Sequence, residues 1–313
     1  MHEGGAHECS VSIVIPVFNN SGSLLALFER IEQAMSDWSP EEWEVVFVDD
    51  GSQDDSWERL IEIHERHASV VLLRLGRNVG QRIAIRAGWS RASGRRIVTM
   101  SADLQDPPEL IPELLVECGL KTSLVVASRI KRHDSWSYRL PAQIVQSVYS
   151  KVIPGYPPGG FDFYAVSSDI VRLVLPRKDK TVFLQGELLR LASSVRYVDY
   201  DRERRIHGKS QQPWHRLWSK PFVDLFSLFA WPAYAFLILA GATLVISILY
   251  AMWVLVSFSL NRTPFQGWTP LILLTLVFGS LMLAGVSVVI LLLHRMIQML
   301  DNKPIYTVEN EVR

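Results

Sequence analysis

Residues 43–56 read WEVVFVDDGSQDDS. Trp43 to Val48 is a short apolar run rich in β-branched and aromatic residues, and it stops at an Asp-Gly turn followed by small polar residues. Such a run, bounded by turn chemistry, reads as a buried strand, with Ser52 or Asp54 placed to cap the next helix. Trp57 to His67 then has helical spacing. Outward from this unit the alternation repeats: a strand at Val11 to Val17, a helix at Leu24 to Met35, a strand at Val70 to Leu75, a helix at Gln81 to Ala92 and a strand at Arg96 to Met100. Strands alternating with helices predict βαβ units, hence an α/β domain whose mostly parallel sheet is covered by helices.

Ligands of such sheets bind at the carboxyl ends of the strands, and the polar clusters of this chain fall there. The first strand runs into PVFNN (16–20) rather than G-x-G-x-x-G, and no G-x-x-x-x-G-K-[ST] loop occurs, which argues against a nicotinamide dehydrogenase and a P-loop ATPase. Asp49 and Asp50 end the second strand, where fixed acceptors suit a base N–H and ribose hydroxyls; the plainer reading of the same acids is a turn and a helix cap. Asp103 ends a later strand in SADLQDPPE (101–109), with Gln105 close behind. Hard oxygens of this kind suit a divalent cation, Mg2+ or Mn2+, whereas the alternative reading makes Asp103 and Asp106 loop caps before Pro107 and Pro108.

The last third of the chain has a different character. Leu225 to Leu260 and Thr263 to Leu293 carry no Asp, Glu, Lys or Arg, and Arg262 separates them. About 20 apolar residues span a bilayer core, so the two stretches read as a transmembrane hairpin. Trp214, Leu217, Trp218, Phe222, Leu225, Phe226 and Phe229 recur at helical spacing, with Arg216, Lys220 and Asp224 on another face. That is an amphipathic helix, read either as lying in the membrane interface or as a hinge packed on the preceding domain. Basic residues flank the hairpin on both sides, so both ends are expected to face the cytoplasm in an inner, cytoplasmic membrane. The organisation read from this is a tail at 1–9, the α/β domain at 10–212, a juxtamembrane segment at 213–229, spans at 230–260 and 264–294, and a cytoplasmic tail at 295–313. The +0 net charge gives no sign of a nucleic-acid partner. Cys9 and Cys118 have no metal-ligand spacing and read as free thiols, and no hydrophobic signal segment opens the chain. Gly241, Ala242, Gly279 and Gly285 permit close helix contacts, so a homo-oligomer is one expectation.

PVFNN, VDDGS (48–52), RNVGQ (77–81) with Ala84 and Gly88, and ADLQDPPE (102–109) occur in this order at fold-compatible spacing. Together they resemble the family 2 glycosyltransferases of GT-A (Rossmann-like) fold, and most closely the polyprenyl-phosphate glycosyltransferases, the group of dolichol-phosphate mannose synthase and the bactoprenol glucosyltransferases. The resemblance covers roughly residues 10 to 215, plus a two-helix tail of the bactoprenol type. It implies a nucleotide-sugar donor bound by Pro16, Asn19, Asp49, Asp50, Gly80, Gln81, Asp103 and Gln105, a divalent cation on Asp103 and Gln105, and a polyprenyl-phosphate acceptor. Arg129 matches an arginine near the donor or acceptor phosphate, with Lys131 as a further candidate or a solvated basic residue. Asp162, in PPGGFDFYAVSSD, and Glu187, in TVFLQGELLRLA, match positions near sugar or acceptor. In YDRERRIHGKSQQ, Arg205 and Ser210 match the closing loop, and Arg202 and Lys209 join them as phosphate binders or as a patch that attracts anionic headgroups.

Two departures from the family pattern stand out. Ser101 occupies the place of the first acid of an Asp-x-Asp pair, and Tyr164 that of an arginine. The expected chemistry is one in-line displacement at the anomeric carbon, hence inversion, with Asp103, Asp162 and Arg205 as the catalytic residues. An acceptor that is already anionic needs positioning more than deprotonation. UDP-glucose is the first expectation for the donor and undecaprenyl phosphate for the acceptor, ahead of GDP-mannose or an aminoarabinose-type donor. A processive polysaccharide synthase would carry Gln-x-x-Arg-Trp, which is absent here; a non-catalytic membrane scaffold is the alternative from another class.

Overall fold

The computed structural model describes residues 10–119, 122–129, 153–157, 160–176, 183–200 and 305–313, with single helical positions between 249 and 296. The chain divides into two units, Met1–Trp218 with Pro304–Arg313, and Ser219–Lys303.

In the first unit the elements run β1 (Val11–Val17), α1 (Leu24–Ala34), β2 (Trp43–Asp49), α2 (Ser56–Arg66), β3 (Val70–Leu75), α3 (Gln81–Trp89), β4 (Arg96–Thr99), a single 3-10 turn (Pro108–Leu110), α4 (Ile111–Glu117), β5 (Leu124–Arg129), β6 (Tyr164–Ser167), α5 (Ser168–Val174), α6 (Leu184–Leu191), β7 (Val195–Tyr200) and β8 (Val308–Val312). The strands form one sheet in the order β7-β5-β6-β4-β1-β2-β3-β8. β1 pairs in parallel with β2 and β4, β2 with β3, and β5 with β7, whereas β6 and β8 run antiparallel to their neighbours. The sheet is therefore mixed but mostly parallel, and the carboxyl ends of β1, β2, β3, β4, β5 and β7 share one edge.

The apolar runs become strands because helices cover them. Ile13, Ile15, Val45 and Phe47 are fully buried, and α1 sets Leu24, Leu27, Phe28 and Ile31 against the same core. Pro16 sits in a central strand without breaking its ladder. β4 pairs only as far as Val14, where Met100 donates its N–H to the Val14 carbonyl, so the proline, which has no N–H, lies beyond that ladder. Gly88 lets α3 settle onto the sheet, since a Cβ there would strike the side chains of Val14 and Val48. Tyr164 is a core residue of β6, packed edge-on against Trp89 and Phe161, so the place where an arginine was expected faces the interior.

Residues 305–313 correct the sequence reading. They belong to the α/β unit, not to a tail running over 295–313 as read from the sequence, because β8 zips along the edge of β3 with Leu72 opposite Val312 and Leu75 opposite Val308. The Gly76 N–H donates to the Thr307 carbonyl, Ser90 and Tyr306 share a hydrogen bond of 3.0 Å, and Arg91 meets Glu311 at 2.8 Å.

In the second unit the described positions are helical, and Leu249, Met252, Val256, Met282, Val286, Leu293 and Met296 expose apolar side chains. Among the described residues no helix is long and apolar enough to cross a membrane. The segment 213–229, and all but single positions of 230–260 and 264–294, lie outside the described residues.

Candidate active site

The loops that leave β1, β2 and β4 are stitched to one another at the carboxyl edge. Asn19, at a left-handed φ of 51°, donates its N–H to Ser52 Oγ and accepts the Gln53 N–H at Oδ1. Asn20 donates to Ser56 Oγ and Ser21 to Asp54 Oδ2, so the first loop rests on the second. Ser23 Oγ then donates to the Ala102 carbonyl at 2.7 Å, tying α1 to the loop that carries Asp103. Gly51 is required where it stands: its φ is +70° and a Cβ would come within 2.8 Å of the Asn78 nitrogen.

The paired acids of β2 have separate jobs. Asp49 is fully buried; Oδ1 accepts the Ser52 N–H at 3.0 Å, Arg74 Nε approaches Oδ2 at 3.5 Å, and burial raises its pKa against those opposing contacts. It shapes the turn from inside. Asp50 accepts the Val79 and Gly80 N–H groups, each at 2.8 Å, one on either oxygen, and burial pushes its pKa up to about 6. Asp50 therefore fixes the RNVG loop. Gly80, at φ 95°, turns that loop into α3, whose first residue Gln81 is exposed. Pro16, Asn19, Asp50, Gly80 and Gln81 thus gather at one end of the sheet.

Beside them lies a longer polar chain. Asp103 is buried after β4, Ser101 Oγ lies 2.9 Å from its Oδ1, and the Gln105 N–H approaches the same oxygen at 3.3 Å. Ser101 Oγ also lies 2.5 Å from Asp106 Oδ2, which accepts the Ser101 N–H too. Tyr200 donates its hydroxyl to Asp106 Oδ1 at 2.7 Å and accepts from Arg129 Nε at 3.3 Å. Arg129 then meets Asp162 Oδ2 at 2.9 Å, and Gln185 Nε2 donates to Asp162 Oδ1 at 3.3 Å. The register explains the junction, because Arg129 and Tyr200 are partners at the ends of β5 and β7. Burial opposes the charge on Arg129, but Asp162, Asp106 and Tyr200 outweigh it and raise its pKa. Burial beside Asp106 likewise holds the Tyr200 phenol protonated.

The structure thus joins Asp103 to Arg129 and Asp162 through residues that sequence reasoning left out of the site. Nothing in the sequence marks Tyr200, although it ends a strand, and Asp106 reads there only as a loop cap. Glu187 does not face solvent as a helical glutamate usually would; it is buried on α6 with Arg190 Nη1 at 3.5 Å. Lys131, Arg202, Arg205, Lys209 and Ser210 lie outside the described residues.

The profile of Glycosyl transferase family 2 matches residues 12–166, the span from β1 to β6 that builds most of this edge. The undecaprenyl-phosphate 4-deoxy-4-formamido-L-arabinose transferase of Pseudomonas savastanoi pv. phaseolicola is 31% identical over 97% of this chain and 91% of its own. The bactoprenol glucosyl transferase of Shigella phage SfV is 26% identical over 96% of this chain and 98% of its own. An uncharacterised glycosyltransferase of Synechocystis sp. is 27% identical over 96% and 95%. The likeness runs through the whole length, the sheet has the expected α/β form, and the polar residues meet at its carboxyl edge: the chain belongs to the family 2 glycosyltransferases, in the polyprenyl-phosphate glycosyltransferase group.

Proposed function

We propose that this transferase moves a sugar, glucose from UDP-glucose in the first place, onto a membrane-borne polyprenyl phosphate such as undecaprenyl phosphate, inverting the anomeric carbon. The observation that carries the reading is the chain of polar contacts from Asp103 through Ser101, Asp106, Tyr200 and Arg129 to Asp162. It sets a hard-oxygen end and a buried arginine with its acid along one sheet edge, within a fold matched end to end by enzymes named for bactoprenol and undecaprenyl phosphate.

The donor end is built to hold a leaving diphosphate. Asp103 and the amide oxygen of Gln105 are the kind of donors Mg2+ and Mn2+ take, and a set this small suits an ion that keeps phosphate oxygens and waters in its shell. When bound, such a cation offsets the charge that grows on the departing nucleoside diphosphate. Asp50 and Asn19 hold the surrounding loops in place beforehand, so ordering them costs little when the donor arrives. Arg129, fixed from three sides, supplies a cation that does not have to be rearranged, and Asp162 offers an oriented carboxylate to the sugar or the acceptor. The acceptor phosphate arrives anionic, which fits a site whose acids are engaged in positioning.

Connectivity and composition together support membrane attachment. β8 pairs with β3, so residues 219–303 leave the α/β unit and return to it. A segment of that kind crosses a bilayer an even number of times, in keeping with a hairpin at 230–260 and 264–294 and with both flanks on the cytoplasmic side of the inner membrane. The exposed apolar residues of the second unit support the same reading.

A second donor has its own support, since the 31% identical relative is named for a formamido-arabinose. The deciding experiment offers labelled UDP-glucose, GDP-mannose and a UDP-linked 4-amino or 4-formamido arabinose, with undecaprenyl phosphate, to the full chain in liposomes. One donor is expected to yield a lipid-phosphate sugar that EDTA and Asp103→Ala abolish. Absence of product from every donor, with an active control enzyme alongside, would overturn the reading.

A further inference from the structure

The Ser101 hydroxyl sits between two carboxylates, 2.9 Å from Asp103 Oδ1 and 2.5 Å from Asp106 Oδ2. A serine hydroxyl has one hydrogen and two lone pairs, while a carboxylate only accepts. The single hydrogen therefore cannot point squarely at both acids. The shorter contact is the one to Asp106, a fully buried acid also held by the Tyr200 hydroxyl and the Ser101 N–H. With its hydrogen committed there, Ser101 presents lone pairs on the side of Asp103.

Two hard oxygens in van der Waals contact are stable where a cation lies against both. Magnesium holds its ligands at roughly 2.0–2.1 Å in an octahedron, which puts neighbouring oxygens about 2.9 Å apart. The separation of Ser101 Oγ from Asp103 Oδ1 matches that spacing as well as that of a hydrogen bond, so a cation can replace the hydrogen there without moving either oxygen. We infer that Ser101 is itself a ligand of the divalent cation, sharing it with Asp103, and that Asp106 is the positioning residue that takes the serine's hydrogen and turns its lone pairs to the metal. The inference rests on the reading of Asp103 as a cation ligand. It gives the serine that stands in place of an acid a direct function: the first ligand is retained, without its charge. A neutral hydroxyl in place of a carboxylate leaves the cation more dependent on the donor diphosphate, so metal and nucleotide are expected to bind as a unit.

The test uses thiol substitution and reads binding, not turnover. Titration calorimetry of the detergent-solubilised full chain in the presence of UDP gives affinities for Mn2+ and Cd2+ in the wild type, Ser101→Cys, Ser101→Ala and Asp103→Ala. Soft sulfur prefers Cd2+, so Ser101→Cys is expected to move the Cd2+ to Mn2+ affinity ratio toward Cd2+ by about tenfold or more. Ser101→Ala is expected to weaken Mn2+ by about tenfold without that change of preference. The ratio is internal to each protein and is insensitive to a general loss of packing. If Ser101→Cys moves both metals alike while Asp103→Ala loses binding, serine acts only through the loop and the inference is overturned. If Asp103→Ala binds both metals as the wild type does, the cation reading falls and the inference with it.

Discussion

Arg129 and Asp162 meet at 2.9 Å from unequal surroundings: the arginine side chain is 7% exposed and the aspartate 37%. The pair is therefore asymmetric. Removing the acid strands a cation in the interior, with Asp106 as its nearest remaining counter-charge, whereas removing the arginine leaves an acid that water reaches.

Asp162→Ala is accordingly expected to cost about 3 kcal/mol of stability, and Arg129→Ala clearly less, although both abolish transfer. Unfolding followed by a core-tryptophan signal in detergent gives the order. The reverse order would mean that the two residues are not an ion pair in solution.

Asp50 carries a signed prediction. Its folded pKa, about 6, lies above the ordinary aspartate value, so the folded state holds this proton more tightly than the unfolded chain does. The stabilisation is present at acid pH and is lost as pH rises through 6. Between pH 4.5 and pH 7 the difference is worth about 2 kcal/mol. Asp50→Asn has no such proton. Its stability relative to wild type is therefore expected to be poorer at pH 4.5 than at pH 7 by about that amount. Equal differences at the two pH values would place the Asp50 pKa near the ordinary range.

The β8 strand separates edge pairing from surface charge. Glu311→Ala removes partly exposed ion pairs with Arg91 and Arg313 and is expected to cost about 1 kcal/mol or less. Deletion of 305–313 uncovers the whole edge of β3 and is expected to speed amide exchange at Leu73 and Leu75 and to promote association through the bared strand. Exchange followed by mass spectrometry distinguishes the two variants; a deletion that leaves β3 protected would show that β8 adds nothing to the sheet.

Much of the fold was legible because the first four strands and three helices carry strong local signals. β2 is apolar but for Glu44 and its terminal Asp49, and α1 buries one clean stripe. Helix ends were overrun, as at α3, which stops at Trp89 although the helical pattern continues to Ala92. β8 was illegible for a physical reason: Val308 to Val312 reads VENEV, and an edge strand half in water needs no apolar run. The site was readable in part. Adjacent acids announced Asp49 and Asp50, but sequence alone gives no sign that one is sealed inside the turn while the other pins a loop. Tyr200 depends on the pairing of β7 with β5, a long-range choice with no local signature, and it is this pairing that links Asp106 to Arg129.

The return of the chain to β3 also sets an order of events. Synthesis delivers β3 early and its partner only after residues 219–303 have been made. Throughout that interval the sheet has a bare flank, so completion of the chemistry-bearing half waits on whatever becomes of the apolar segment. A nascent chain whose last residues are stranded keeps that flank open to proteases and chaperones, and its maturation therefore reports whether the apolar segment has doubled back.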